Sequence, residues 1–144
     1  GEIMSNTPEL TYIGEWVNLG ANTNNSDLKN NYSEISMYLP SATNHKIINT
    51  KKTFLGFICG DHTKTAINSS ISTGSVFGTA VMLASSNFSP KLIKSFSWLT
   101  DEVSGRYNFD DFVHTMKIVK ARRKQEVFPE EIKIMSQIAE QNNV

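Results

Sequence analysis

Chemistry-bearing side chains are concentrated in one short segment of the sequence, GDHTK (residues 60–64). His62 lies beside Asp61, whose carboxylate could orient the imidazole ring, and close to Lys64, whose ammonium group could bind a phosphate. Histidine is the most frequent general base or acid in enzymes because its pKa lies near neutrality. The segment therefore indicates a proton-transfer role for His62. The alternative is that this lone histidine makes only a structural hydrogen bond.

A six-residue spacing organises the chain around this segment. An apolar first residue, usually aliphatic, is followed by a small second one, with a small or branched fifth residue: Ile13-Gly14 with Val17, Leu19-Gly20 with Thr23, Cys59-Gly60 with Thr63, Ile71-Ser72 with Ser75, Phe77-Gly78 with Val81, and Leu83-Ala84. Such hexads are typical of parallel β-helices, in which three hexads form one turn and each turn contacts its neighbours. We therefore predict a mainly β fold of this kind. The lone Cys59 occupies a first position, so we expect it to be a buried core residue with a raised thiol pKa.

The spacing fails between Leu19 and Cys59, because forty residues are not a multiple of six. We therefore predict that a loop, at about residues 25–53, leaves the β-helix. Ile47-Ile48 and then residues 54–56 are expected to mark the re-entry of the chain.

Helical periodicity replaces the hexads near the end of the chain. Asn108 is the expected cap of a first helix, whose apolar face is formed by Phe109, Phe112, Val113, Met116 and Val119. Pro129 is expected to begin a second helix, whose apolar face is formed by Ile132, Met135, Ile138 and Ala139. We assign residues 1–106 to the β-helix and residues 107–144 to a C-terminal helical extension. KARRKQE (residues 120–126) is expected to be a solvated helix end.

Composition limits the classes of function. The 144 residues suffice for one domain, and fourteen basic and fourteen acidic side chains cancel. Without a net positive charge, neither nucleic acid nor an anionic membrane is an expected partner. The chain has no apolar run of about 20 residues and no signal-peptide pattern, so a cytoplasmic location is expected.

Four segments carry a resemblance to a known family. They are LTYIGEWVNLGANT (residues 10–23), SDLKNNY (residues 26–32), GDHTKTAIN (residues 60–68) and FSPKLIKSFSW (residues 88–98). Over about residues 10–125 the chain resembles the hexapeptide-repeat acyltransferases. It is most similar to the C-terminal domain of bifunctional sugar-1-phosphate nucleotidyltransferases that also N-acetylate glucosamine 1-phosphate. The resemblance implies a left-handed parallel β-helix with an extruded loop and C-terminal α-helices. It further implies a homotrimer with acetyl-CoA bound between neighbouring protomers.

The resemblance also assigns substrate-binding residues. The implied reaction is acetyl transfer from acetyl-CoA to an amino-sugar 1-phosphate. Asn31 and Tyr32 match the family's Asn-Tyr pair that contacts the sugar, and Lys51 and Lys52 are similar to its substrate-binding lysine. Lys64 is a further candidate for the phosphate.

The catalytic position departs from the family pattern. The family's catalytic histidine directly precedes Leu-Thr-Tyr-x-Gly, and this chain has Glu9 there. A carboxylate with a pKa of about 4.3 is a weaker base than an imidazole near 6.5 unless burial raises it. Glu9 and His62 are therefore both candidate catalytic bases.

The sequence is compatible with three functions. The first is the acetyltransferase, and the second is a non-catalytic module that trimerises or binds CoA or a sugar nucleotide. The glutamate at the catalytic position favours the second, as does the absence of a nucleotidyltransferase half, which an N-terminal domain missing from this sequence would supply. The third is a zinc carbonic anhydrase, which uses the same fold with three histidine ligands. The histidines of this chain, at 45, 62 and 114, lack a short ligand spacing, so no metal is expected.

Overall fold

A computed structural model describes residues 11–39 and 45–141 of the chain, and Glu9 lies outside them. In these residues short strands precede two helices. The strands are β1 (Tyr12–Ile13), β2 (Asn24–Asn25), β3 (Ser36–Leu39), β4 (Lys46–Asn49), β5 (Ile58–Cys59), β6 (Lys64–Thr65), β7 (Ser70–Ile71), β8 (Val76–Phe77), β9 (Met82–Ala84), β10 (Leu92–Ile93), β11 (Ser97–Thr100) and β12 (Ser104–Arg106). The helices are α1 (Phe109–Ala121) and α2 (Pro129–Gln141). The expectation of a mainly β chain that ends in two helices is confirmed.

Parallel pairing dominates the sheets. One sheet has the order β1-β5-β8-β10, a second has β12-β11-β9-β6, and a third pairs β2 with β7. Every pair in these sheets is parallel except β11 with β12. Apart from the antiparallel pairs β3-β4 and β11-β12, successive strands along the chain fall in different sheets, as a repeat of short strands requires.

The register reproduces the hexad spacing. Cys59 aligns with Phe77, and Thr65 aligns with Leu83, so partners in these two strand pairs lie eighteen residues, or three hexads, apart. In the next two pairs, β8 with β10 and β9 with β11, partners lie sixteen residues apart. Ile13 instead aligns with Cys59, at a separation of 46 residues. The additional residues of that interval form the segment between β2 and β5.

Backbone corners separate the strands at six-residue intervals. A positive φ recurs at Trp16 and Asn22, and then at His62, Asn68, Gly74 and Ala80, with values from 56° to 69°. Only glycine adopts this left-handed region without steric cost. Each non-glycine residue here is therefore held by its surroundings.

Four of these positions form a column, which we call the corner column: Trp16, His62, Ala80 and Phe96. Phe96 N donates to Thr79 O, Ala80 N donates to Asp61 O, and His62 N donates to Glu15 O, all at 2.8 Å. Each acceptor is the residue directly before the preceding member of the column. The corners of neighbouring strands are therefore hydrogen-bonded in series.

The first residues of the hexads form the core. Leu19, Cys59, Ile71, Phe77 and Leu83 are buried in one cluster, with Phe57, Val81 and Ile93. Cys59 is a free thiol, and burial raises its pKa to about 11, as predicted. Glycine at the second position allows close backbone approach, since a Cβ on Gly60 would lie 2.7 Å from the backbone of Gly78.

The segment between β2 and β5 contains an antiparallel hairpin of β3 and β4. Ile48 aligns with Met37 within it, so the expectation that Ile47 and Ile48 mark re-entry is wrong. The chain returns at Leu55, whose N–H donates to Asp27 O at 3.0 Å. Ile35, Met37 and Leu55 pack with Val76 and Leu92, and these five residues form what we call the hairpin cluster.

Helix α1 packs against the corner column. Asn108 caps it by accepting a hydrogen bond from Asp111 N at 3.1 Å, as predicted. The Phe112 ring lies edge-on to Phe96 and to His62, with centroid distances of 4.9 and 5.4 Å. Four residues of α2 pack in one hydrophobic cluster with Phe96 and Phe112: Ile132, Met135, Ile138 and Ala139. Neither helix is long and apolar enough to cross a membrane, and no other helix is present among the described residues.

Candidate functional site

The predicted site residues fall into two groups. Asn31, Tyr32, Lys51 and Lys52 belong to the loop that carries the hairpin. His62 lies at a corner beneath α1, and Lys64 follows it in β6. Within the described part of the chain, no hydrogen bond or ion pair joins the two groups.

Glu34 connects the two ends of the loop. Its Oε2 accepts a hydrogen bond from Asn49 Nδ2 at 2.6 Å and lies 3.5 Å from Lys51 Nζ. Its backbone oxygen accepts from Lys29 Nζ at 2.8 Å. Because these side chains are largely exposed, the ion pair itself adds little stability. Its effect is to hold Lys51 next to the turn that contains Asn31 and Tyr32.

Tyr32 and Lys51 have unusual backbone conformations. Their φ angles are 55° and 59°, and neither belongs to the six-residue series of corners. The turn at Tyr32 is closed by its N–H, which donates to Lys29 O at 3.0 Å, while Asn31 Oδ1 accepts from Ser33 N at 3.1 Å. The Tyr32 side chain is 68% exposed. The turn thus presents a phenol to solvent from a strained, defined backbone, as ligand-binding loops often do.

His62 is buried, with 5% of its surface exposed. Asp61, which we expected to orient the imidazole, instead accepts a hydrogen bond from Glu15 N at 2.7 Å. Lys64 Nζ donates to the backbone oxygen of His62 at 3.3 Å. His62 therefore lies within the corner column and is in contact with Phe112 of α1.

Burial and charge set the protonation state of this group. Burial, together with the positive charge of Lys64, lowers the pKa of His62 from 6.5 to about 4, although Asp61 opposes the shift. Burial also lowers the pKa of Lys64. The imidazole is therefore neutral at pH 7, and it is a weak base for a reaction at that pH.

Lys120 was expected in a solvated helix end, and that expectation is wrong for this residue. It is 4% exposed, forms an ion pair and hydrogen bond with Glu131 of α2, and lies over the ring of Trp16. The hydrogen bond from Lys120 lowers the pKa of Glu131. Lys120 is four residues after Met116, which is itself four after Phe112. That spacing was the available signal for its burial.

A cleft of about 440 Å³ lies between the start of α1 and the end of α2. Its lining consists of Arg106, Tyr107, Asn108, Phe109, Ser136, Ala139 and Glu140. Arg106 Nη2 donates to Ala139 O at 2.7 Å across it. None of the residues expected to bind substrate lines this cleft, and sequence reasoning did not single it out.

Metal ligands are not grouped in the described residues, where no three His, Cys, Asp or Glu side chains could hold one ion. His62 is buried, whereas His45 and His114 are exposed. Comparison of the sequence with protein-family models and with curated proteins gives no match in either case.

Proposed function

We propose that this chain is a left-handed parallel β-helix domain of the hexapeptide-repeat acyltransferase type. The observation that carries the proposal is the combination of two parallel strand pairs whose partners lie eighteen residues apart with a left-handed corner at every sixth residue from His62 to Ala80. Three six-residue sides would make one turn of such a helix. The extruded hairpin and the two C-terminal helices agree with the resemblance.

The reaction we propose is N-acetyl transfer from acetyl-CoA to an amino-sugar 1-phosphate. The amine nitrogen forms a bond to the thioester carbonyl carbon, the carbon–sulfur bond breaks, and the proton lost from nitrogen passes through a base to the leaving thiolate. Direct transfer is supported by the burial of Cys59, whose pKa of about 11 leaves it protonated. Asn31 and Tyr32 are proposed to contact the sugar, and Lys51, Lys52 and Lys64 are the candidates for its phosphate.

His62 and Glu9 are the two candidates for the base. His62 is buried with a pKa of about 4, which suits a structural residue better than a general base. Glu9 is therefore the first residue to test as the base. Proton transfer by Glu9 would require an environment that raises its pKa above the ordinary carboxylate value.

A homotrimer is part of the proposal, because acetyl-CoA would bind between protomers. Tyr12 and Ile58 support it, since they align on adjacent strands and are 64% and 39% exposed. Exposed apolar residues on neighbouring strands are a common feature of association surfaces. An N-terminal nucleotidyltransferase domain, as in the bifunctional proteins, would be a further partner.

The test is release of free thiol from acetyl-CoA in the presence of glucosamine 1-phosphate. We expect release that depends on both substrates and that falls in Tyr32→Phe, because one hydroxyl contact to the sugar is lost. Tyr38→Phe, on the hairpin strand β3, is the matched control and should retain the parent rate. No thiol release at high protein concentration would overturn the proposed reaction.

The second candidate is a non-catalytic trimerising module that binds CoA or a sugar nucleotide. The low pKa of His62 favours it, since that pKa weakens one of the two candidate bases. Saturable CoA binding without thiol release in the same assay would support this module over the enzyme.

A further inference from the structure

One apolar face of the hairpin extends beyond the surface that it covers. Ile35, which directly precedes β3, and Met37 and Leu39 within β3 are two residues apart, so their side chains lie on the same face of the hairpin. Their exposed fractions rise toward the turn, from 0% for Ile35 and 7% for Met37 to 44% for Leu39. Ile35 and Met37 belong to the hairpin cluster, and Leu39 does not. Leu39 is therefore an apolar residue that the packing within this chain leaves uncovered.

The outer face of one sheet is covered over only half of its width. Tyr12, Ile58, Val76 and Leu92 align in register across β1, β5, β8 and β10, so their side chains form one row. Val76 and Leu92 pack in the hairpin cluster. Tyr12 and Ile58, at the other end of the row, are exposed. The hairpin of the same chain thus covers two residues of the row and leaves the other two open to solvent.

Charged residues lie beside both of these uncovered surfaces. Lys46 aligns with Leu39 across the hairpin and is exposed. Glu15 lies three residues after Tyr12 and is also exposed. Among residues 11–39 and 45–141, no ion pair involves Lys46 or Glu15. Packing of Leu39 on Tyr12 would place opposite charges at the rim of the contact, where they favour one partner over another.

We propose that the end of the hairpin, at Leu39, packs on Tyr12 and Ile58 of a second copy of this chain. The hairpin already covers the neighbouring half of the same row within its own chain, so the contact continues that packing across the boundary between protomers. The two surfaces differ, and a contact of this heterologous kind closes into a ring when the rotation between copies is a whole fraction of a turn. The inference rests on the proposed homotrimer for the number of copies, and it names the surfaces that meet.

The experiment is disulfide trapping between protomers. Leu39→Cys and Tyr12→Cys are introduced into separate chains with different tags, which are co-expressed and then oxidised. A disulfide requires Cα atoms within about 7 Å, so a mixed disulfide forms only where the two positions meet. Cys59 does not compete, because it is buried and its pKa is about 11. We expect the mixed dimer to be the main covalent product on a non-reducing gel.

Ile134→Cys is the matched control for Tyr12→Cys, because Ile134 is exposed on α2, away from the row. It should give no mixed dimer with Leu39→Cys. Light scattering provides a second readout, in which Leu39→Glu should dissociate the parent trimer while circular dichroism shows that the variant is folded. If Leu39→Glu does not fold, the trapping experiment alone decides the outcome.

The remaining outcomes separate this contact from the proposed function. A trimeric parent that yields no mixed disulfide overturns the contact and leaves the trimer in place. A chain that carries both cysteines and closes a disulfide within itself, at the mass of a monomer, also overturns the contact. A monomeric parent overturns the contact together with the proposed trimer. A mixed disulfide in a protein that releases no thiol from acetyl-CoA keeps the contact and overturns only the proposed reaction.

Discussion

Lys120 Nζ lies 5.5 Å from the centroid of the Trp16 ring and also forms an ion pair with Glu131. Trp16 belongs to the corner column, Lys120 to the last turn of α1, and Glu131 to the first turn of α2. One ammonium group therefore contacts the β part of the chain and joins the two helices. A cation–π contact of this kind contributes about 1 kcal/mol or more when it is shielded from water.

We predict that Lys120→Met lowers the free energy of unfolding by about 2 kcal/mol. The methionine preserves most of the apolar stem but loses both the cation–π contact and the ion pair, and it leaves Glu131 without its partner. Urea denaturation followed by circular dichroism measures the change. Lys117→Met is the matched control, because Lys117 is exposed on the same helix. A loss no greater than that of the control would show that the contact is energetically unimportant.

His62 should make stability depend on pH. Its pKa is about 4 in the folded chain against 6.5 for an ordinary histidine, so the unfolded state binds more protons between these values. The stability from its neutral burial is therefore fully present above pH 6.5 and is lost progressively as the pH falls toward 4. The expected loss is about 3 kcal/mol at most.

Asparagine at this position isolates the effect, because it tolerates the positive φ of His62 but does not titrate. Stability of His62→Asn between pH 6.5 and 5 should be flat where that of the parent declines. The control His114→Asn, at an exposed position on α1, should retain the parent slope. Glu131, whose pKa is lowered, loses its stabilising effect only below the ordinary carboxylate range and so does not interfere. An unchanged slope in His62→Asn would contradict the assignment.

Gly60→Ala should destabilise the chain by about 1–3 kcal/mol. The added methyl group would lie 2.7 Å from the backbone of Gly78 on the neighbouring strand, so the strands would have to separate. Gly105→Ala is the control, since its nearest neighbour would be a side-chain atom of Val103 at 3.9 Å. Denaturation midpoints of the two variants give the comparison, and equal midpoints would argue against tight packing at the second hexad position.

Ile58→Glu should prevent the proposed self-association. Ile58 lies beside Tyr12 on the exposed surface of one sheet, and a buried carboxylate at a subunit contact is costly. Light scattering should show a trimer for the parent and a monomer for the variant. Ile134→Glu, at a 54% exposed position on α2, should remain trimeric. A monomeric parent protein would remove the contact and, with it, the proposed site between protomers.

The sequence predicts the parts of this structure that depend on local periodicity. Hexads place Cys59 and Phe77 in the core because their spacing matches the parallel register. Asn108 is recognisable as a cap because the helical pattern begins directly after it. The loop was expected from the broken spacing, but its hairpin was not, since a short apolar pair such as Ile47-Ile48 fits either a hairpin or re-entry.

The structural features that the sequence did not predict depend on contacts between segments that are distant along the chain. Lys120 was assigned to solvent because its neighbours in sequence are charged, yet its burial depends on Trp16, which lies 104 residues earlier. The packing of the hairpin against Val76 and Leu92 is specified by no local pattern. The lowered pKa of His62 likewise requires α1 to cover it.

The distance that α1 spans limits the number of strands between the Phe96 corner and the Trp16 corner. Eight residues separate Phe112, at the Phe96 corner, from Lys120, at the Trp16 corner, which is about 12 Å of helix. The sheet β1-β5-β8-β10 spans three strand spacings over the same interval, or about 14 Å. The length of α1 between these two residues thus matches a stack of four strands. Duplication of one eighteen-residue unit would move the two corners apart by another strand spacing, so that Phe112 and Lys120 could no longer reach both at once.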